Sequence, residues 1–571
     1  MISSRRLLIS FAIVACVFLP LSNFAQQVQT IPIPSDGKHD PIVKAPAGAV
    51  EGLTEGDLHV FKGIPYALPP VGSLRWRPPS PMPRWTGVKK ATEFGPACFQ
   101  PQPTLSNIYV REPKPMSEDC LRLNIWTPTG AHNAPVFFWI HGGSLLTGVG
   151  GDPMYNGARM AARGIVVVTI NYRVGVLGWL AHPELSKESP LGISGNYGLL
   201  DQIEALRWVE ANISSFGGDP SNMTIAGESA GALSVMFLMA SPEARGLFSK
   251  AIAQSAYMIT TPELKQSRFG TSSAEESGTY IAAVLHASGV AALRAMDPGE
   301  LTEAATAAGY TPWGTIDGHV LPHQLVDVFD RGEQAPIPIL TGFNSGEIRS
   351  LRILAPAAPA TASAYEYIIR DRYEDLADEF LRLYPATNLQ ESILAATRDA
   401  VYGWTSVRLV KKQAALGLPS FLYFFDHGYP AEDAAGLHGF HASEVPYVFG
   451  TFNGTPPLWP KIPDTEAEKR LSDAITGYWT SFARTGHPTA ENEPDWPAFG
   501  SAGAFMNITD APRPSTCLLP GMYALNEEVV CRRRARGDVP WNWNVGIVSP
   551  KLPAKQAQCK LPRGECAGVS R

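Results

Sequence analysis

A serine becomes an effective nucleophile when a constrained turn exposes it, a base takes its proton, and donors wait where negative charge will develop. The segment Gly227-Glu228-Ser229-Ala230-Gly231 meets the first condition. It fits G-x-S-x-G, directly after the apolar run Met223-Thr224-Ile225-Ala226 and directly before a helical stretch over Ala230 to Ala240. In that setting the turn is sharp, and a side chain at either flanking glycine would crowd neighbouring backbone, so Ser229 Oγ is thrust into the open. Donors are expected upstream in Trp139-Ile140-His141-Gly142-Gly143-Ser144, where the N–H groups of Gly143 and Ser144, joined by that of Ala230, can converge on an oxyanion. A glycine-rich turn without chemistry is the plainer account of that loop, and a bare G-x-S-x-G recurs by chance. The strand before Ser229 and the helix after it are what set this one apart.

The base, and the acid that fixes its tautomer, should follow the nucleophile in the order acid, then histidine. Of twelve histidines, His427, His438, His441 and His487 come late enough. His441 lies in Gly439-Phe440-His441-Ala442-Ser443-Glu444, after the strand-like run Phe421 to Phe425, but spacing alone does not choose it over His438.

These groups need a frame to bring them together. Val136 to Ile140, Ile165 to Ile170 and Met223 to Ala226 are continuous apolar runs, as in strands covered on both faces of a parallel sheet. Between the last two, Leu199, Ile203, Leu206, Val209 and Ile213 recur at helical spacing, which predicts a crossover helix over Gly198 to Ile213. Ile337 to Thr341 and Phe421 to Phe425 predict further strands, each followed by polar residues at the carboxyl edge, where open α/β sheets bind ligands.

The chain has 571 residues, 45% hydrophobic and 18% charged, and a net charge of -6. That composition fits a packed soluble protein of one large domain or two, with no low-complexity block and no internal repeat. No Lys/Arg stripe offers a footprint for nucleic acid or an anionic membrane, so the expected partner is a small molecule. Arg5 and Arg6 precede an uncharged run from Leu7 to Leu21 and then small or polar residues to Ala25, the layout of a secretory signal cleaved near Ala25. The run is short for a membrane span. A lipobox-like Ile13-Val14-Ala15-Cys16 gives a lipoprotein as the second choice. Behind the signal stand six cysteines, Cys98, Cys120, Cys517, Cys531, Cys559 and Cys566. An even count suggests disulfides, and none has zinc-ligand spacing. Six cysteines allow about 15 pairings, and only the closeness of Cys98 to Cys120 stands out. Residues 26–47 are expected to form a flexible leader, 48–538 the folded domain, and 539–571 a disulfide-tied tail. Arg532-Arg533-Arg534 is expected to be a solvated surface cluster.

Beyond these local signals, the chain resembles the type-B carboxylesterase and cholinesterase family from about Gly48 to about Phe499. The resemblance is carried by Phe61-Lys62-Gly63-Ile64-Pro65-Tyr66-Ala67, Ser117-Glu118-Asp119-Cys120-Leu121-Arg122-Leu123-Asn124, Asn171-Tyr172-Arg173-Val174-Gly175 and the stretch from Gly195 to Val235. It implies an α/β-hydrolase fold, a large mostly parallel sheet flanked by helices, with insertions around an active-site gorge. By position it puts the nucleophile on Ser229, the acid on Glu347 in Gly342-Phe343-Asn344-Ser345-Gly346-Glu347, and the base on His441 rather than His438. It also implies a disulfide between Cys98 and Cys120 and a structural ion pair between Arg75 and Glu118. Two positions depart from the family's pattern. Val110 replaces the tryptophan that faces a quaternary ammonium in cholinesterases, which argues against a cation cage. Ser144 replaces a third glycine of the oxyanion loop, and its side chain narrows the space for bulky alcohol groups.

The resemblance implies a carboxylesterase working through an acyl-enzyme on a small-molecule ester, without metal or organic cofactor, and the signal layout makes it secreted or periplasmic. A lipase for longer acyl chains is the nearer alternative, and a non-catalytic adhesion member of the fold the more distant one. Arg349 and Arg352 lie where relatives are often apolar; attraction of an acidic acyl group and plain solvation are the two accounts of them. Sequons stand at Asn212, Asn222, Asn453 and Asn507.

Overall fold

The computed structural model describes residues 40–102, 108–111, 115–542 and 545–559. The expected signal with Cys16 and Ala25, most of the expected leader, and Cys566 lie outside them. In chain order the strands are β1 (Ile42–Ala45), β2 (Gly48–Glu51), β3 (Leu53–Glu55), β4 (Leu58–Pro65), β5 (Val88–Lys90), β6 (Arg122–Pro128) and β7 (Ala134–Ile140). They continue as β8 (Val166–Ile170), β9 (Gly218–Glu228), β10 (Lys250–Gln254), β11 (Ile339–Asn344), β12 (Ser420–Phe425), β13 (Ala504–Ile508) and β14 (Pro512–Thr516). Eleven of them form one sheet in the order β14-β13-β12-β11-β10-β9-β7-β8-β6-β4-β3, and β1, β2 and β5 form a small second sheet. From β8 through β7 to β13 every pairing is parallel, and the antiparallel strands lie at the two margins.

The apolar runs are buried for the reason their composition predicts. Every residue of β7, β8 and β10 is buried, because helices and loops cover both faces. The crossover helix spans Tyr197–Asn212, and the helix after Ser229 spans Ala230–Ala240 with no exposed residue. A separate apolar cluster of Trp139, Phe449, Trp459, Trp479 and Trp496 covers the opposite face of the sheet.

Pairing begins earlier and ends later than the expected domain limits. Residues 42–45, inside the segment expected to be a leader, form β1 and pair with β2. Near the other end the Trp541 N–H donates to Thr260 Oγ1 at 2.9 Å, and Cys531 is bonded to Cys559, which ties the tail to the helix Met522–Arg536. The arginine cluster on that helix is not a solvated feature. Arg532 and Arg533 are 1% and 0% exposed, and Arg532 is held by Glu528 at 2.6 Å and by Asp375 at 2.6 and 2.8 Å. Its partner one turn away on the same helix and a carboxylate from a distant segment supply the countercharge that burial demands. Only Arg534 reaches partial exposure, paired with Asp327 and Asp330.

Candidate active site

β9 ends at Glu228, and the next residue adopts φ 57° and ψ −123°. This conformation is strained for a serine and is held by its surroundings. A Cβ on Gly231 would lie 2.1 Å from Ile140 O, and one on Gly227 would lie 2.5 Å from Gly231 C. Glycine at both positions lets the end of β7, the turn and the helix approach one another this closely. The Ser229 N–H donates to Gln254 O at 3.0 Å, which fastens the turn to the end of β10.

The loop after β7 curls toward the same place. Gly143 and Ser144 have φ of 96° and 58°, both are exposed, and Gly143 O accepts from the N–H groups of Leu146 and Thr147 at 3.0 and 2.9 Å. Among the described residues the N–H groups of Gly143, Ser144 and Ala230 have no acceptor. His141 anchors this loop: it stacks on Tyr172 with ring centres 4.4 Å apart, and Nδ1 lies 2.9 Å from Gly142 O. Burial pushes its pKa down to about 4, so it stays a neutral donor to the loop.

Glu347 opens the short helix Glu347–Ser350, three residues past β11, and is fully buried. Its Oε1 accepts from the Asn344 N–H at 2.8 Å, and its Oε2 lies 2.5 Å from His441 Nδ1. This pair fixes the imidazole with Nδ1 toward the acid and leaves Nε2 facing Glu228 Oε1 at 3.1 Å. His438, which spacing could not separate from His441, is instead at the surface with Asp433 at 2.7 Å and Asp426 at 3.4 Å. Thus the residues singled out in the sequence come from the ends of β7, β9, β11 and β12. These strands are neighbours in the sheet apart from the intervening β10. All lie at the carboxyl edge.

Further groups surround the site, among them Glu228, whose place beside the nucleophile leads one to expect negative potential there. Glu228 Oε1 lies 3.1 Å from His441 Nε2, and Ser229 Oγ has no hydrogen bond among the described residues. Burial raises the Glu228 pKa well above the carboxylate range, partly opposed by His441. For His441 burial works downward, but Glu228 and Glu347 outweigh it and the net shift is upward. A third buried carboxylate, Glu444, is held by Gln254 Nε2 at 2.9 Å and Asn344 Nδ2 at 2.6 Å. Gln254 in turn accepts from Trp479 Nε1 at 2.9 Å, so the ends of β10, β11 and the loop after β12 share one polar network. The Tyr109 hydroxyl approaches His441 O at 2.8 Å and Ser350 Oγ at 2.7 Å. It sits within the loop closed by Cys98–Cys120, whose S–S distance is 2.05 Å.

The remaining expectations fall at the periphery. Arg75 and Glu118 form a two-pronged pair at 2.7 and 2.8 Å, and Arg75 also donates to backbone at Met296. Arg349 is taken up by Glu391 at 3.1 and 2.7 Å, and Arg352 is exposed. Val110 is half-buried beside Tyr109.

A parallel sheet with a strained serine after one strand and a buried His–Glu pair after two others defines an α/β-hydrolase. The chain belongs to the carboxylesterase family, whose model matches residues 39–519, and it is a serine hydrolase of carboxylic esters. It is 38% identical to a fumonisin B1 esterase of Sphingopyxis macrogoltabida, over 85% of this chain and 90% of that protein. It is 36% identical to a para-nitrobenzyl esterase of Bacillus subtilis, over 80% of this chain and 92% of that protein. A solved para-nitrobenzyl (PNB) esterase structure superposes with a TM-score of 0.74 at 33% identity, covering 84% of this chain and 98% of that one.

Proposed function

We propose that the chain hydrolyses carboxylic esters through Ser229 as nucleophile, His441 as general base and acid, and Glu347 as the group that orients the imidazole. Ser229 Oγ adds to the ester carbonyl as its proton passes to His441 Nε2. The oxyanion is received by the N–H groups of Gly143, Ser144 and Ala230, and protonated His441 returns the proton to the departing alcohol. Water then repeats the sequence on the acyl-enzyme and releases the acid. The contact that carries this reading is His441 Nδ1 to Glu347 Oε2 at 2.5 Å, spanning 94 residues of chain. For Nε2 to serve Ser229 it must turn from Glu228 toward Oγ, an alignment that substrate binding is expected to bring about.

The relatives' names do not set the substrate, since fumonisin B1, para-nitrobenzyl esters and cocaine all appear among proteins 32% to 38% identical to this chain. We infer export from the N-terminal layout of residues 1–25, and the disulfides Cys98–Cys120 and Cys531–Cys559 support it. Among the described residues no helix is long and apolar enough to cross a membrane. The test is hydrolysis of p-nitrophenyl esters of graded chain length by wild type, Ser229→Ala and His441→Ala at equal folded concentration. Loss of at least about a thousandfold in kcat is expected for each variant. Turnover that survives Ser229→Ala contradicts the proposal.

A further inference from the structure

Beneath the loop that carries His441 lies a buried acid that the proposed reaction does not use. Glu432 belongs to the short helix Pro430–Ala434 and is 1% exposed. Among the described residues no Lys, Arg or His forms an ion pair with it. The two nearest histidines are engaged elsewhere, His427 by Glu468 at 2.9 Å and Asp510 at 3.3 Å, and His438 by Asp433 at 2.7 Å. Glu432 Oε2 has no hydrogen-bond partner among the described residues either. A carboxyl buried in this condition is costly, so the contact it does make calls for a reason.

That contact is with the backbone of the base loop. Glu432 Oε1 accepts from the N–H of Phe440, the residue immediately before His441, at 3.3 Å. Burial lifts the pKa of the carboxyl to about 7, against the pull of the Phe440 and Gly439 N–H groups and of His427 and His438. The other end of Phe440 is held from the acid's side of the site. Phe440 O accepts from Asn344 Nδ2 at 2.8 Å, and Gly439 O accepts from the Gly346 N–H at 2.8 Å. Asn344 also gives its own N–H to Glu347. Phe440 is thereby fixed at its carbonyl to the segment that bears Glu347 and at its N–H to Glu432, while its ring lies 4.7 Å from that of Trp459.

The backbone of Phe440 sets where the next Cα stands, and a base that must span an acid and a nucleophile tolerates little displacement. We propose that Glu432 is a positioning residue for the base: its side chain fixes the Phe440 N–H, and through it the Cα of His441, so that the imidazole spans Glu347 and Ser229. The role of His441 rests on the proposed esterase reaction; the hold of Glu432 on the loop does not.

The test separates the acceptor from the charge. Glu432→Gln keeps an acceptor oxygen at the same reach and removes the charge, whereas Glu432→Asp keeps the charge and draws the oxygen back by one methylene. Both are small changes, and urea unfolding of the full chain sets equal folded concentrations. With p-nitrophenyl butanoate, Glu432→Asp should lower kcat about tenfold with KM within about twofold, and Glu432→Gln should stay within about threefold of the wild-type kcat. In a His441→Ala background Glu432→Asp should add less than about a twofold loss, because the base it positions is gone. Wild-type kcat in Glu432→Asp, a loss confined to KM, a Gln variant as slow as the Asp variant, or the same loss with and without His441 overturns the proposal. Full turnover in His441→Ala alone overturns the esterase reading and this proposal with it, and that single variant tells the two failures apart.

Discussion

Two buried carboxylates flank His441, one on each ring nitrogen, and they make opposite demands on catalysis. In the proposed mechanism Glu347 holds the tautomer the reaction needs, whereas Glu228 at 3.1 Å from Nε2 favours the imidazolium, which cannot accept the Ser229 proton. The upward shift of His441 is therefore expected to move the acid limb of kcat/KM upward from the ordinary histidine range. Removing negative charge favours the neutral ring, so Glu228→Gln should move that limb to lower pH by about one unit. A pH–rate profile checks this, and an unmoved limb would count against the pairing. Tyr109 acts on the other side of the ring, through the backbone carbonyl of His441. Tyr109→Phe should lower kcat about threefold to tenfold with KM little changed, as expected for one lost hydrogen bond that positions the base. At this scale the sequence was informative where chemistry is local. Ser229 could be read from five adjacent residues, whereas choosing His441 over His438 needed the family resemblance, because the contact with Glu347 closes across 94 residues. Glu444 and Tyr109 escaped because nothing in their immediate neighbours says what they touch; Glu228 could be read as negative potential beside the nucleophile, but not its contact with His441.

Among the elements, the turn between β9 and its helix is tightly constrained. A methyl group at Gly231 has Ile140 O only 2.1 Å away, and that oxygen belongs to a central strand that cannot retreat. Gly231→Ala should destabilise the fold by about 3 kcal/mol or more, read as a lower urea midpoint, and should also displace the oxyanion loop. Strand runs such as Val136 to Ile140 and Phe421 to Phe425 were legible because two-sided burial writes itself as continuous hydrophobicity. The helix over Ala230 to Ala240 was legible to its last residue, since the turn defines its start. The arginine cluster misled because charge in a sequence suggests water, and nothing nearby reveals that Asp375 will arrive from 157 residues away.

On the scale of the whole molecule, the small sheet at one end and the disulfide-tied tail at the other extend the fold beyond the strands that bear the site. Cys98–Cys120 closes the loop that carries Tyr109, so it affects both stability and the base. Replacing the pair with serines should cost about 3 kcal/mol by loop entropy, measured by urea unfolding. It should also lower kcat in the same direction as Tyr109→Phe. Asn212 cannot serve as a glycan acceptor in this fold, because its buried side chain already bonds Trp208 O and the Ala47 N–H. Long-range placement of this kind has no local code, which is why the domain limits and the sequons could not be judged from the chain alone. The central claim is that an ester passes its acyl group to Ser229. It is tested most directly by acid-quenching the enzyme within its first turnovers on a p-nitrophenyl ester and mapping the added mass. One acyl group on the peptide bearing Ser229, absent in Ser229→Ala and accompanied by a burst of p-nitrophenol, is the expected result. A burst without acyl on that peptide, or steady turnover in the alanine variant, would contradict the account.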